Sequence, residues 1–152
     1  MTKSLTDITK RLLKLWRSLI DLIAPRACEM CGTRLGINER LICTTCNALL
    51  PRTDDASSPY DNHTARRLWG LVPVERCASF VKYHPHTPFA TLIYRLKYGG
   101  REDIGEEIGR MMAADYMPSG FFDGIDAIVP MPLHKKRRLE RGYNQSYEVA
   151  RG

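Results

Sequence analysis

Residues 126–147 read DAIVPMPLHKKRRLERGYNQSY, and this stretch decides how the chain is understood. Ile125 and Ala127, Ile128 and Val129 form a short apolar run, which the pattern predicts to be a buried strand. Pro130 and Pro132 end it, because proline has no N–H to donate to a sheet ladder. A basic loop is expected next: His134, Lys135, Lys136, Arg137, Arg138 and Arg141, opposed only by Glu140. Gly142 supplies a flexible turn, and Asn144 is a good N-cap for a helix carrying Tyr147, Glu148 and Val149. Strand, basic loop and helix start together suit an anion, because backbone N–H groups and the helix dipole present positive charge to it. Guanidinium forks and lysine ammonium groups suit phosphate oxygens in particular. The opposing reading of the same residues is a solvated charge run on a surface loop.

The rest of the chain constrains that reading. Its 152 residues fit one ordinary domain or two small ones, and a hydrophobic content of 43% is enough for a core. The formal charge of +6 is unevenly spread: residues 1–52 hold nine Lys/Arg against four Asp/Glu, and residues 53–152 fourteen against thirteen. The basic stretch at 134–141 is therefore a local feature of a nearly neutral segment. Such an excess fits phosphate-bearing ligands or nucleic acid.

Four of the five cysteines form two Cys-x-x-Cys pairs, Cys28/Cys31 and Cys43/Cys46, with eleven residues between them. Each pair presents two thiolates to one tetrahedral ion, and two pairs complete a closed Cys₄ zinc site. A closed four-sulfur site leaves no open position for substrate, so the expected role is structural. Bound zinc would lower the net charge to about +4. The competing reading is a pair of buried or redox-active dithiols. Cys77 has no partner motif and is expected to be a buried apolar residue in a strand over 77–83. Lys10, Arg11, Lys14 and Arg17 interrupt the N-terminal apolar runs, so no signal peptide is read there, and no apolar stretch reaches the length of a membrane span. A reducing, cytoplasmic setting is expected.

Residues 4–23 are predicted to form one amphipathic helix. Leu5, Ile8, Leu12, Leu15, Leu19 and Leu22 recur at spacings of three and four, flanked by Trp16, Ile20 and Ile23. Its apolar stripe is read as docked on the protein's own body, against a membrane-surface alternative. The resulting organisation is an amphipathic helix over 1–24, a zinc ribbon over 25–52, a linker over 53–75 by composition, and a further domain over 76–152. Within the last, helices are predicted over 88–98, with Phe89, Leu92, Ile93 and Leu96 on one face, and over 101–117, with Ile104, Ile108, Met111 and Met112 inward. Gly105 and Gly109 weaken the second helix and suit close packing. Trp69 is read as an anchor onto a neighbour. A second metal site at His84 and His86 lacks acidic or thiol neighbours.

With these residues in view, the chain resembles the ComF family of competence-related proteins, also called amidophosphoribosyltransferase-like. The resemblance rests on the N-terminal helix leading into CEMC and CTTC, on YRLKYGGREDIGEEIGRMMA, and on IVPMPLHKKRRLERGYNQS. It implies an α/β architecture: a type I phosphoribosyltransferase-like domain, here incomplete, preceded by the helix and the small zinc ribbon. It also implies that His134, Lys135, Arg137, Arg138, Arg141, Gly142, Tyr143, Asn144 and Gln145 hold pyrophosphate or neighbouring phosphates of phosphoribosyl pyrophosphate, with Mg²⁺ in a complete site. The acidic strand end and phosphate turn that such enzymes carry do not occur in the sequence, and Asp54–Asp55 followed by AlaSerSerProTyr does not replace them. The chain is accordingly expected to be truncated and to transfer no phosphoribosyl group. The resemblance also implies a part in DNA uptake. The second reading is an adaptor that binds single-stranded DNA or DNA-uptake proteins. Against it, the aromatic residues are not interleaved with the basic stretch in sequence, as a stacking platform would require.

Overall fold

The structure, a computed structural model, describes residues 25–152. The helix expected over 4–23, with its stripe from Leu5 to Ile23, lies outside the described residues. The chain divides into two compact units, Met1–Ala48 and Leu49–Gly152.

In the first unit, the Cys28/Cys31 turn is closed by backbone hydrogen bonds from Gly32 N to Cys28 O (2.8 Å) and from Cys28 N to Thr33 O (2.8 Å). An isolated antiparallel bridge joins Ala27 to Arg34. The second cysteine pair opens a short helix, α1 (Thr44–Ala48). Glu39 fixes its start: the carboxylate accepts from Gly36 N (2.6 Å), Thr44 N (2.6 Å) and Thr44 Oγ1 (2.7 Å). The bond from Thr44 N satisfies a donor that a helix start otherwise leaves unpaired. Leu35, Leu41 and Ile42 are buried alongside.

The second unit is helical: α2 (His63–Leu68), α3 (Pro88–Tyr98), α4 (Glu102–Tyr116), α5 (Lys135–Arg141) and α6 (Gln145–Arg151), with 3₁₀ turns at Asp55–Ser57 and Met117–Ser119. Helix α3 starts where its chemistry directs, with Pro88 in the first turn and Thr87 Oγ1 accepting from Ala90 N (3.2 Å). Phe89, Leu92 and Leu96 are buried on one face, as their spacing predicts, and Ile104 and Ile108 of α4 likewise. Gly105 and Gly109 do permit a close approach. A Cβ on Gly105 would lie 2.7 Å from Glu148 Cβ, and one on Gly109 would lie 2.0 Å from the Val149 carbonyl oxygen. Helices α4 and α6 therefore meet backbone to backbone. Arg151 of α6 ties the pair through Glu106 of α4 (2.8 Å) and also contacts buried Glu148 on its own helix (3.2 Å).

The α/β expectation is wrong. Among the described residues there is no strand and no sheet, only the two isolated bridges Ala27–Arg34 and Arg52–Val81. The run at 125–129 is exposed instead of buried, with Ile128 60% and Val129 83% accessible. A strand is held by its neighbours' hydrogen bonds, and none of the described residues pairs with this run. The segment over 77–83 contributes only the bridge at Val81. Cys77 is half-buried, and its carbonyl accepts from Asn62 Nδ2 (2.7 Å). Trp69 is half exposed. The basic stretch is also not a loop: 135–141 is the helix α5, capped by His134, whose Nδ1 accepts from Lys136 N (3.4 Å), and ended by Gly142 at φ 81°. That left-handed conformation is one glycine adopts without the Cβ clash.

Candidate functional site

The four paired cysteines come together. The sulfur atoms of Cys28, Cys31, Cys43 and Cys46 all lie within 4.8 Å of one another. Cys31 Sγ and Cys43 Sγ are 3.7 Å apart, too far for a disulfide bond. Sulfurs around one tetrahedral zinc at ~2.3 Å stand ~3.8 Å from each other, so the cluster has the dimensions of a metal site. Backbone N–H groups support it: Cys43 N donates to Cys28 Sγ (3.3 Å) and Cys46 N to Cys43 Sγ (3.4 Å). Such bonds orient thiolate ligands and offset their charge. Hydrogen bonding from the Thr33 side chain, and then from its backbone, lowers the Cys31 thiol to about 6. Burial pushes Cys46 strongly upward. A cation among the four sulfurs would overcome that cost, because a coordinating thiol is deprotonated outright. The group could hold a metal ion such as zinc.

The second candidate region is the basic helix and what stands beside it. Lys135, Lys136, Arg137 and Arg138 are exposed on α5. Arg137, Arg138 and Arg141 share a face by their spacing of three and four. Tyr143 is buried, and its hydroxyl donates to the Leu96 carbonyl, joining the end of α5 to the last turn of α3. Asn144 caps α6 by accepting from Ser146 N (3.1 Å), and its amide donates to Met131 O (3.0 Å). Gln145 Oε1 accepts from Arg141 (2.7 Å). Among the residues expected to hold phosphate, Arg141, Tyr143, Asn144 and Gln145 are thus engaged in structure, whereas Lys135, Arg137 and Arg138 are exposed.

Two residues that the sequence reading passed over complete this region. The Arg141 guanidinium lies 5.2 Å from the centre of the Tyr98 ring, and Tyr98 packs against Tyr94 with ring centres 4.9 Å apart. Both tyrosines are exposed, at 61% and 65%. They sit four apart on α3, opposite its buried face, so they form one aromatic step. Two large aromatics at helical spacing on a polar face were the available signal. The aromatic residues that the sequence separates from the basic stretch are next to it in space.

The turn at Asp55–Ser57 gathers a third set of polar groups. Asp55, dismissed as a substitute for an acidic strand end, is 5% exposed and accepts from Thr64 Oγ1 (2.5 Å) and Ser79 N (2.8 Å). Through Oδ2 it holds α2 and the segment at 79 to the turn. His84 and His86 are exposed and belong to no metal-holding group among the described residues.

No family model matches the chain, and no solved structure matches it. Among curated proteins it is similar to the DNA utilization protein YhgH of Escherichia coli strain K12, at 29% identity over 136 residues. The proteins of the same name from Shigella flexneri and Salmonella typhimurium are 28% and 27% identical. Each alignment covers 82% of this chain and 59% of the relative, so the chain spans about three fifths of the length of the curated relatives it matches. These relatives link the chain to proteins named for DNA utilization.

Proposed function

We propose that this chain is a DNA-handling module that binds single-stranded nucleic acid across α3 and α5, and that its cysteine unit is held together by structural zinc. The observation that carries the reading is the Tyr94–Tyr98 step lying under Arg141 at the edge of the basic helix. Exposed aromatic faces accept bases of any sequence, and a neighbouring row of cations follows the backbone phosphates. Double-stranded DNA buries its base faces in the stack, so the aromatic step favours single strands. The DNA utilization relatives and the resemblance to the ComF family agree with this role.

Pyrophosphate and phosphoribosyl pyrophosphate would meet the same guanidinium groups, at Arg137, Arg138 and Arg141, and act as competitors for this face. No role is assigned to Mg²⁺, and no phosphoribosyl transfer is assigned to the chain. The deciding experiment is fluorescence anisotropy with a labelled oligothymidylate on wild type and on Tyr94→Ala plus Tyr98→Ala. The double variant should bind at least about tenfold more weakly at fixed salt, because stacking contributes ~1–3 kcal/mol per base. Equal affinities in the two proteins would overturn the reading.

A further inference from the structure

A different part of the second unit has chemistry that neither the cysteines nor the basic helix uses. A cavity of about 770 Å³ opens between the turn at 53–58, α2 and the segment at 79–83. That volume lies within the ~300–1,000 Å³ typical of small-molecule sites. Its wall is fixed in advance. Asp55 Oδ2 takes both hydrogen bonds, from Thr64 and Ser79, while Thr64 Oγ1 and Ser79 Oγ are 2.9 Å apart. Buried Asn62 donates to Ser58 O (3.0 Å) and Cys77 O (2.7 Å). Groups already held in place spare a ligand the cost of ordering them.

The charges bordering this cavity are mixed. Asp61 is neutralised by Arg66 through contacts of 2.6 and 3.1 Å, and exposed Asp54 adds a second carboxylate to the rim. Arg67 and Lys82 are exposed on the lining and have no ion-pair partner among the described residues. Asp55 Oδ1 carries no hydrogen bond there. Tyr83, 64% exposed, adds an aromatic face. Two unpaired cations suit a phosphate, a fixed carboxylate oxygen suits a sugar hydroxyl, and a ring suits a planar base.

We propose that this cavity binds a free nucleoside monophosphate, with Arg67 and Lys82 on the phosphate, Asp55 accepting from the sugar and Tyr83 against the base. The site is separate from the α3–α5 face and stands or falls independently of it. The test is calorimetric titration of the full chain with adenosine monophosphate, adenosine and inorganic phosphate. The monophosphate should bind saturably, with adenosine and phosphate each roughly tenfold weaker or more. Arg67→Ala plus Lys82→Ala should weaken the monophosphate by a similar factor. Neither side chain bonds to another of the described residues, so circular dichroism of that variant should match wild type. Tyr94→Ala plus Tyr98→Ala should leave the monophosphate affinity unchanged. Absence of saturable binding at millimolar nucleotide, equal affinity in the Arg67/Lys82 variant, or phosphate binding as tightly as the nucleotide would each overturn the proposal.

Discussion

Cys31 differs from its three partners because it is exposed, whereas Cys28, Cys43 and Cys46 are buried. The Thr33 side chain hydrogen bond, seconded by the Thr33 backbone, holds its thiol near 6, well below an ordinary cysteine. A folded-state value depressed in this way favours the folded form above the unfolded value, and that advantage is lost as pH falls through about 6. Thr33→Val should therefore move acid-induced metal release to higher pH, read by a chromogenic chelator across a pH series. One zinc per chain is expected by metal analysis of protein purified without chelator. Cys31→Ser should abolish it and unfold the surroundings, since zinc binding in small modules is worth on the order of 10 kcal/mol. Cys77→Ala should leave the zinc content intact; loss of the equivalent would mean a different ligand set. Tyr116 gives a prediction of the opposite kind. It packs among Phe80, Phe121 and Phe122, and its buried hydroxyl has no hydrogen-bond partner among the described residues. Burial, with help from Asp55 and Asp115, raises that phenol to about 12. Tyr116→Phe removes an unpaired polar group without removing the ring, so thermal stability should hold or rise, by up to ~1 kcal/mol. A clear fall in melting temperature would mean that the hydroxyl finds a partner in solution.

At the scale of elements, the contact between α4 and α6 makes the sharpest demand on sequence. A methyl group on Gly109 would meet backbone atoms of Val149 and Gly152, which cannot rotate away as a side chain could. Gly109→Ala should therefore destabilise by ~1–3 kcal/mol, seen as a lower urea midpoint, whereas an unchanged midpoint would show that the helices separate freely. This closeness was legible in the sequence, as were the faces of α3 and α4, because a helix makes its backbone bonds internally and shows its packing as a 3.6-residue period. The strand at 125–129 was misread for the complementary reason. Its apolar run is real, but a strand depends on neighbours at a distance in the chain, and a local pattern cannot supply them. The basic stretch was misread through its charge. Lys, Arg, Leu and Glu are all good helix formers, and with Gly142 as terminator the segment at 135–141 has every local reason to be helical. Tyr94 and Tyr98 escaped notice because sequence distance from Arg141 hid their proximity to it.

For the molecule as a whole, a formal charge of +6 says little, because the charge that matters is concentrated on one short helix. Lys135, Lys136, Arg137 and Arg138 are all exposed there, and Arg141 joins them at the aromatic step. A bound single strand would displace condensed counterions from the phosphates that these groups contact. The logarithm of its binding constant should then fall linearly with the logarithm of salt concentration, with a slope of about −0.7 per phosphate engaged. Two sets of variants should separate in that plot. Arg137→Ala plus Arg138→Ala should reduce the slope by about 1.4, two phosphates' worth, and weaken binding most at low salt, because the lost term is electrostatic. Tyr94→Ala plus Tyr98→Ala should lower affinity by a similar factor at every salt concentration and leave the slope unchanged, because base stacking releases no counterions. Measured by anisotropy from low to moderate salt, parallel lines for the tyrosine variant and a shallower line for the arginine variant are the expected result. If both variants instead share the wild-type line, the nucleic acid lies elsewhere on the protein and α5 is a solvated charged helix.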